Sequence, residues 1–213
     1  YNIGLKKEDV SNIKLLKKGK KIEKKEKVKS SGKPIIDFYL TGGTISSKLD
    51  ASTGGVKWLT EAEELFSVYP EIFKIADVRI FSPFLKSSEN MDSKDWIKLA
   101  RLIGKSLNDE NVKGIIVSHG TDFLHYTASA LSFMLGKLNK PVVLTYSQRS
   151  SDRGSSDSRL NLLCAAHVAL SDIAEVVLVG HANLDDKYCN ILQGNKARKM
   201  HTSRRDAFKP VNI

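Results

Sequence analysis

From residue 35 onward the chain alternates two hydrophobic patterns. Short, nearly continuous apolar runs at Ile35–Leu40, 78–81, Val112–Ser118, 141–145 and 175–180 have the length and β-branched content of buried strands. Between them apolar residues recur at three- and four-residue spacing, which predicts helices. Trp96, Leu99, Ala100, Ile103 and Leu107 form one such stripe behind a cap at Asp92 or Ser93. Ala130, Leu131, Met134, Leu135 and Leu138 form a second, and 160–171 carries a third. A further helix is expected over 60–75, with Thr60 as cap and Glu61, Glu63 and Glu64 in its first turn. Strand and helix taking turns in this way predict an α/β fold, a doubly wound and mainly parallel sheet with right-handed crossovers.

Residues 1–34 break the pattern. They are rich in lysine, as in the stretch 17–27, and close on Ser30-Ser31-Gly32-Lys33-Pro34, so they cannot build a core and read as a linker before a domain at 35–213. This segment holds most of the excess behind the formal charge of +10 over 213 residues. Two readings stand side by side for its lysines: contact with a nucleic-acid backbone, or a solvated tether. No apolar run is long enough to span a bilayer, so a soluble, cytoplasmic protein without membrane contact is expected. Cys164 and Cys189 lack the spacing of a zinc site or disulfide framework and are expected to be buried small hydrophobes.

The first strand runs into Thr41-Gly42-Gly43-Thr44-Ile45-Ser46-Ser47, a tight turn that presents Thr44. The strand Val112–Ser118 likewise runs into His119-Gly120-Thr121-Asp122. In a doubly wound sheet these two strand ends share one edge, so both threonines and the acid can meet over one pocket. Threonine needs a base to become a nucleophile, and a poorly solvated lysine is a candidate, with His119 expected to turn away from the pocket. The polar, glycine-bearing loop 50–57 can cover such a site.

Thr-Gly-Gly-Thr-Ile and His-Gly-Thr-Asp together resemble the signatures of the asparaginase/glutaminase superfamily. Ser88-Glu89-Asn90-Met91, the stretch 148–153 and the stretch 198–208 are similar, within it, to the GatD family of archaeal Glu-tRNA(Gln) amidotransferase components. The resemblance implies an asparaginase-type N-terminal domain, incomplete at its C-terminal side and lacking the smaller C-terminal domain, preceded at residues 1–4 by the last strand of a small β-barrel. It implies that Thr44, Thr121, Asp122 and Lys199 are catalytic, with Lys199 activating Thr121, and that Ser88, Gly120 and Asp122 hold the substrate. It further implies an acyl-enzyme route that releases ammonia from glutamine, to convert Glu-tRNA(Gln) to Gln-tRNA(Gln). No cofactor is expected on this chain; ATP and Mg would be used by a tRNA-binding partner subunit of the GatE type, around a homodimer within a heterotetramer. A free cytoplasmic L-asparaginase and a catalytically impaired, RNA-contacting assembly module are the alternatives. Against the family pattern, Ala51 replaces a loop tyrosine, while Phe123 and Tyr146-Ser147 replace smaller residues and are expected to crowd the pocket.

Overall fold

A computed structural model describes residues 31–49, 56–58 and 68–212. The lead-in through residue 30, the barrel strand at 1–4, Ala51 and the helix start at Thr60 lie outside the described residues. In chain order the strands are β1 (Ile35–Leu40), β2 (Ser47–Leu49), β3 (Val56–Trp58), β4 (Asp77–Phe81), β5 (Val112–Ser118), β6 (Val142–Thr145), β7 (Val176–His181), β8 (Cys189–Gln193), β9 (Ala197–Lys199) and β10 (Phe208–Pro210). The helices are α1 (Ile72–Ile75), α2 (Ser93–Leu107), α3 (Leu124–Met134) and α4 (Ser158–Ala169).

Six strands form the main sheet in the order β4-β1-β5-β6-β7-β8, parallel except for the antiparallel edge strand β8. Its central strands read as continuous apolar runs because both faces are covered, and the two-residue period of a strand sends alternate side chains to opposite sides. Ile36, Phe38, Leu40 and Ile116 meet Ile72 of α1 and Leu162, Ala165 and Ala169 of α4. Tyr39, Ile115 and Val117 meet Leu99 and Ile103 of α2 and Leu124 and Leu131 of α3. The small residues of α4 let it lie close: a Cβ on Gly114 of β5 would stand 1.9 Å from the Ala169 carbonyl oxygen. Helix α2 starts at Asp92, which accepts from the Lys94 and Asp95 N–H groups while Asp95 accepts from Asp92 N–H, a reciprocal cap.

Several expectations need correction. The second stripe outlasts its helix: α3 stops at Met134, and Gly136 has φ +64°, yet Leu135 and Leu138 still pack on the core from the turn. The region 50–57 is not all loop, since β3 pairs antiparallel with β2. The alternation does not end at β7, because β8 extends the sheet and β9 and β10 form a separate antiparallel hairpin. Cys164 and Cys189 are free thiols packed against the core but only half-buried.

Candidate active site

The carboxyl ends of β1, β5 and β6 open onto a cavity of about 450 Å³, whose wall includes Thr44, Ser88, Gly120, Thr121 and Asp122 together with Glu89, Gln148, Arg149 and Arg153. Its floor depends on glycine. Gly42 and Gly43 take φ +116° and +83°, and a Cβ on Gly43 would lie 2.4 Å from the backbone nitrogen of Gly120. The two Gly–Thr turns therefore touch backbone to backbone. A Cβ on Gly120 would in turn lie 2.8 Å from Ser88 Oγ, so the absent side chain is what admits Ser88. Buried hydroxyls tie these ends together: Thr41 Oγ1 donates to the Ser118 carbonyl at 2.7 Å, and Ser46 Oγ and Ser118 Oγ share a bond of 2.8 Å. Ser88 Oγ accepts the Phe123 N–H at 3.2 Å.

Lys199 arrives from outside the sheet. Carried by β9, its Nζ donates to Thr121 Oγ1 at 2.7 Å and to Asp122 Oδ1 at 2.8 Å. The lysine side chain is only 10% exposed, against 62% for its carboxylate partner. The structure thus gathers Thr44, Ser88, Gly120, Thr121 and Asp122 on one wall and brings Lys199 to two of them.

Neighbouring groups fix the strand ends in other ways. His119 is fully buried and does not line the cavity; Nδ1 meets the Gly120 carbonyl at 2.7 Å and Nε2 meets Thr127 Oγ1 at 2.8 Å. A carbonyl can only accept, so Nδ1 carries the proton and the threonine hydroxyl donates to Nε2, while its oxygen accepts Trp96 Nε1–H at 2.9 Å. Burial pushes the His119 pKa down to about 4, which leaves the ring neutral near pH 7. Tyr69 OH donates to the Ile45 carbonyl at 3.2 Å, beneath the turn that carries Thr44, and burial pushes its phenol up to about 12.

The expected crowding by Phe123 and Tyr146 does not occur, as neither lines the cavity. Phe123 leans on Tyr126, with ring centroids 5.1 Å apart. Tyr146 turns under the sheet edge against Phe208, at 4.6 Å between centroids, because Gly180 leaves it room: a Cβ there would fall 2.2 Å from the tyrosine ring. Glu89, Arg149 and Arg153 were not singled out individually from sequence; the available signal was the polar loop after β6, at a strand end where such sheets bind ligands. Among the described residues no group of three or more His, Cys, Asp or Glu side chains is placed to hold a metal ion.

Such a domain, a parallel sheet whose carboxyl edge joins two Gly–Thr turns and receives a lysine, falls within a known class. The family described as "Asparaginase, N-terminal" matches residues 36–213, and the chain belongs to it. Over its whole length it is 48% identical to the GatD component of the glutamyl-tRNA(Gln) amidotransferase of Pyrococcus furiosus, and over 88% of its length 50% identical to the same component in Methanosarcina mazei. It spans 49% and 44% of those two curated relatives. Among solved structures, the thermostable L-asparaginase of Thermococcus kodakarensis is similar over 84% of this chain and 52% of its own, with a TM-score of 0.74 and 27% identity.

Proposed function

We propose that this chain is the ammonia-producing part of a glutamine-dependent amidotransferase subunit acting on Glu-tRNA(Gln). The observation that carries the chemistry is the 2.7 Å contact of Lys199 Nζ with Thr121 Oγ1 on the wall that also holds Thr44. Lys199 takes the Thr121 proton, and the two threonines share attack and proton transfer. A threonine oxygen bonds to the side-chain amide carbon of glutamine, the tetrahedral centre collapses, and the C–N bond breaks as the nitrogen leaves with a proton as ammonia. Water then hydrolyses the ester, giving glutamate and restoring the hydroxyl. Backbone N–H groups at the Gly–Thr turns are suited to the developing oxyanion. Ser88, Gly120 and Asp122 hold the amino-acid head. A tRNA-binding partner subunit, using ATP and Mg, activates the tRNA-bound glutamate that receives the ammonia, in the cytoplasm, within a heterotetramer built on a homodimer of this subunit.

The identity of 46–50% to GatD components of amidotransferases from several archaea supports this reading over a free asparaginase, whose solved structures stand at 27–29%. Among the described residues no helix is long and apolar enough to cross a membrane. The test uses the full-length protein with its partner. Thr44→Ala, Thr121→Ala and Lys199→Arg should each lower glutamine hydrolysis by about a hundredfold or more, the last because guanidinium stays protonated. Full turnover by Lys199→Arg overturns the base assignment. Asparagine hydrolysis that ignores both partner and tRNA, with no ammonia transfer, would replace the reading by a free asparaginase.

A further inference from the structure

Asp157 is wholly buried and stands at the N-cap position of α4, yet its carboxylate caps no backbone N–H of the helix and takes from it only a long bond, from Asn161 Nδ2 at 3.5 Å. Its shorter bonds come from the loop before the helix. Gln148 N–H donates to both carboxylate oxygens at 3.0 Å, and Arg149 N–H donates to Oδ1 at 3.0 Å. Ser156 Oγ takes the vacant role at the helix start, accepting Ser158 N–H at 3.3 Å. Asn161, one turn along α4, braces the same strand end by donating from Nδ2 to the Tyr146 carbonyl at 3.0 Å, and its Oδ1 is held 2.6 Å from His181 Nδ1.

The segment so held does two things. Gln148 and Arg149 form part of the cavity wall. The same segment also grips the turn of the β9–β10 hairpin: Gln148 Nε2 donates to the Arg204 carbonyl at 3.1 Å and Tyr146 OH donates to the Arg205 carbonyl at 2.6 Å. That turn follows Lys199, and β9 pairs back through Met200 N–H to the Ala207 carbonyl at 2.7 Å. A charge-assisted bond to a buried carboxylate is about twice as strong as a neutral one, so it is suited to fixing a short loop.

We infer that Asp157 is a positioning residue: through the backbone of residues 148 and 149 it sets the cavity wall and, by way of the Arg204–Arg205 turn, the placement of Lys199 against Thr121. The inference rests on the catalytic reading above for its kinetic arm only. In the full-length, partner-bound protein, Asp157→Asn keeps the shape but aims an NH₂ group at donors. It should speed hydrogen exchange in residues 147–150 and 199–206 by about tenfold or more while the rest of the sheet is unchanged. It should also raise the KM for glutamine about fivefold and lower kcat about tenfold, since wall and base both move. Tyr146→Phe touches the turn alone, so exchange should quicken only in 199–206, with kcat reduced and KM unchanged. A merely structural role predicts losses that track the folded fraction, unaltered KM and exchange raised throughout; that pattern overturns the inference. If Asp157→Asn does not fold, Tyr146→Phe and Gln148→Met delete the two carbonyl bonds singly, and unchanged exchange in 199–206 from both also overturns it. If Thr121→Ala keeps full turnover, the catalytic reading falls, while the exchange arm still decides the coupling.

Discussion

Thr121 and Lys199 make one hydrogen bond of 2.7 Å, yet they are held there by opposite means. Thr121 leaves the end of a buried central strand, and its loop is pressed against the Gly43 turn with no side chain between them. Lys199 closes a three-residue strand in a small hairpin that, among the described residues, pairs only within itself, β9 to β10, and is fastened by Phe208 under Tyr146 and by carbonyl bonds in its turn. The first arrangement is rigid because a sheet core fixes it; the second is a docked element whose accuracy depends on a few long-range contacts. A site built this way places its hydroxyls firmly and its lysine conditionally.

The strongest way to break that contrast is to remove the anchor of the hairpin. Phe208 is 2% exposed, and Phe208→Ala should cost about 3–5 kcal/mol in chemical denaturation, with glutamine turnover in the full-length protein falling further than the folded fraction explains. Equal falls would mean that the hairpin is not separately docked. The strand-end side is probed by pH. With a folded-state pKa of about 4 against 6.5 for an ordinary histidine, His119 is neutral in both states above pH 6.5. Below that value only the unfolded chain takes up the proton, so stability falls as pH drops from 6.5 towards 4, by up to about 3 kcal/mol, and the effect then levels off. His119→Gln should flatten this window in melting curves taken across it; carboxylates such as Asp206, lowered from 3.8 to about 2 mainly by its bond from Arg204, act at lower pH.

A smaller change sharpens the comparison at the point where the two turns touch. Gly43→Ala, at φ +83° and with its new methyl 2.4 Å from Gly120 N, should lower stability by about 1–3 kcal/mol through forced movement of both turns. Turnover should fall with it while exchange in the hairpin stays unchanged. The smallest effect is expected away from both regions. Arg159 pairs with Glu71 at 2.6 Å but is 70% exposed, so Arg159→Ala should shift stability by less than about 1 kcal/mol, less still at high salt.

How far the chain can be read follows from the same contrast. The four inner parallel strands were legible because burial on both faces demands nearly uninterrupted apolar runs, and the Gly–Thr turns because only glycine suits their backbone and their mutual approach. Strands β8 to β10 were not, since each buries one residue or so and offers no run or period to detect. Tyr146 was misplaced for a related reason: its direction is set by the space at Gly180, thirty-odd positions away, which no local pattern records. Asp157 reads in the sequence as the end of a polar loop, and only the folded backbone shows that its carboxylate accepts from the Gln148 and Arg149 N–H groups instead of capping the helix backbone.

By itself, then, the sequence determined the alternation of strands and helices, the glycine turns and the family to which they belong, because each is written in neighbouring residues. The resemblance already paired Lys199 with Thr121; only the tertiary structure decided the contact that joins them, the use of His119 on Gly120 and Thr127, and the hold of Asp157 on the backbone of Gln148 and Arg149. Those outcomes depend on which side chains fill one buried space, and that is a property of elements distant in sequence packed to a common density.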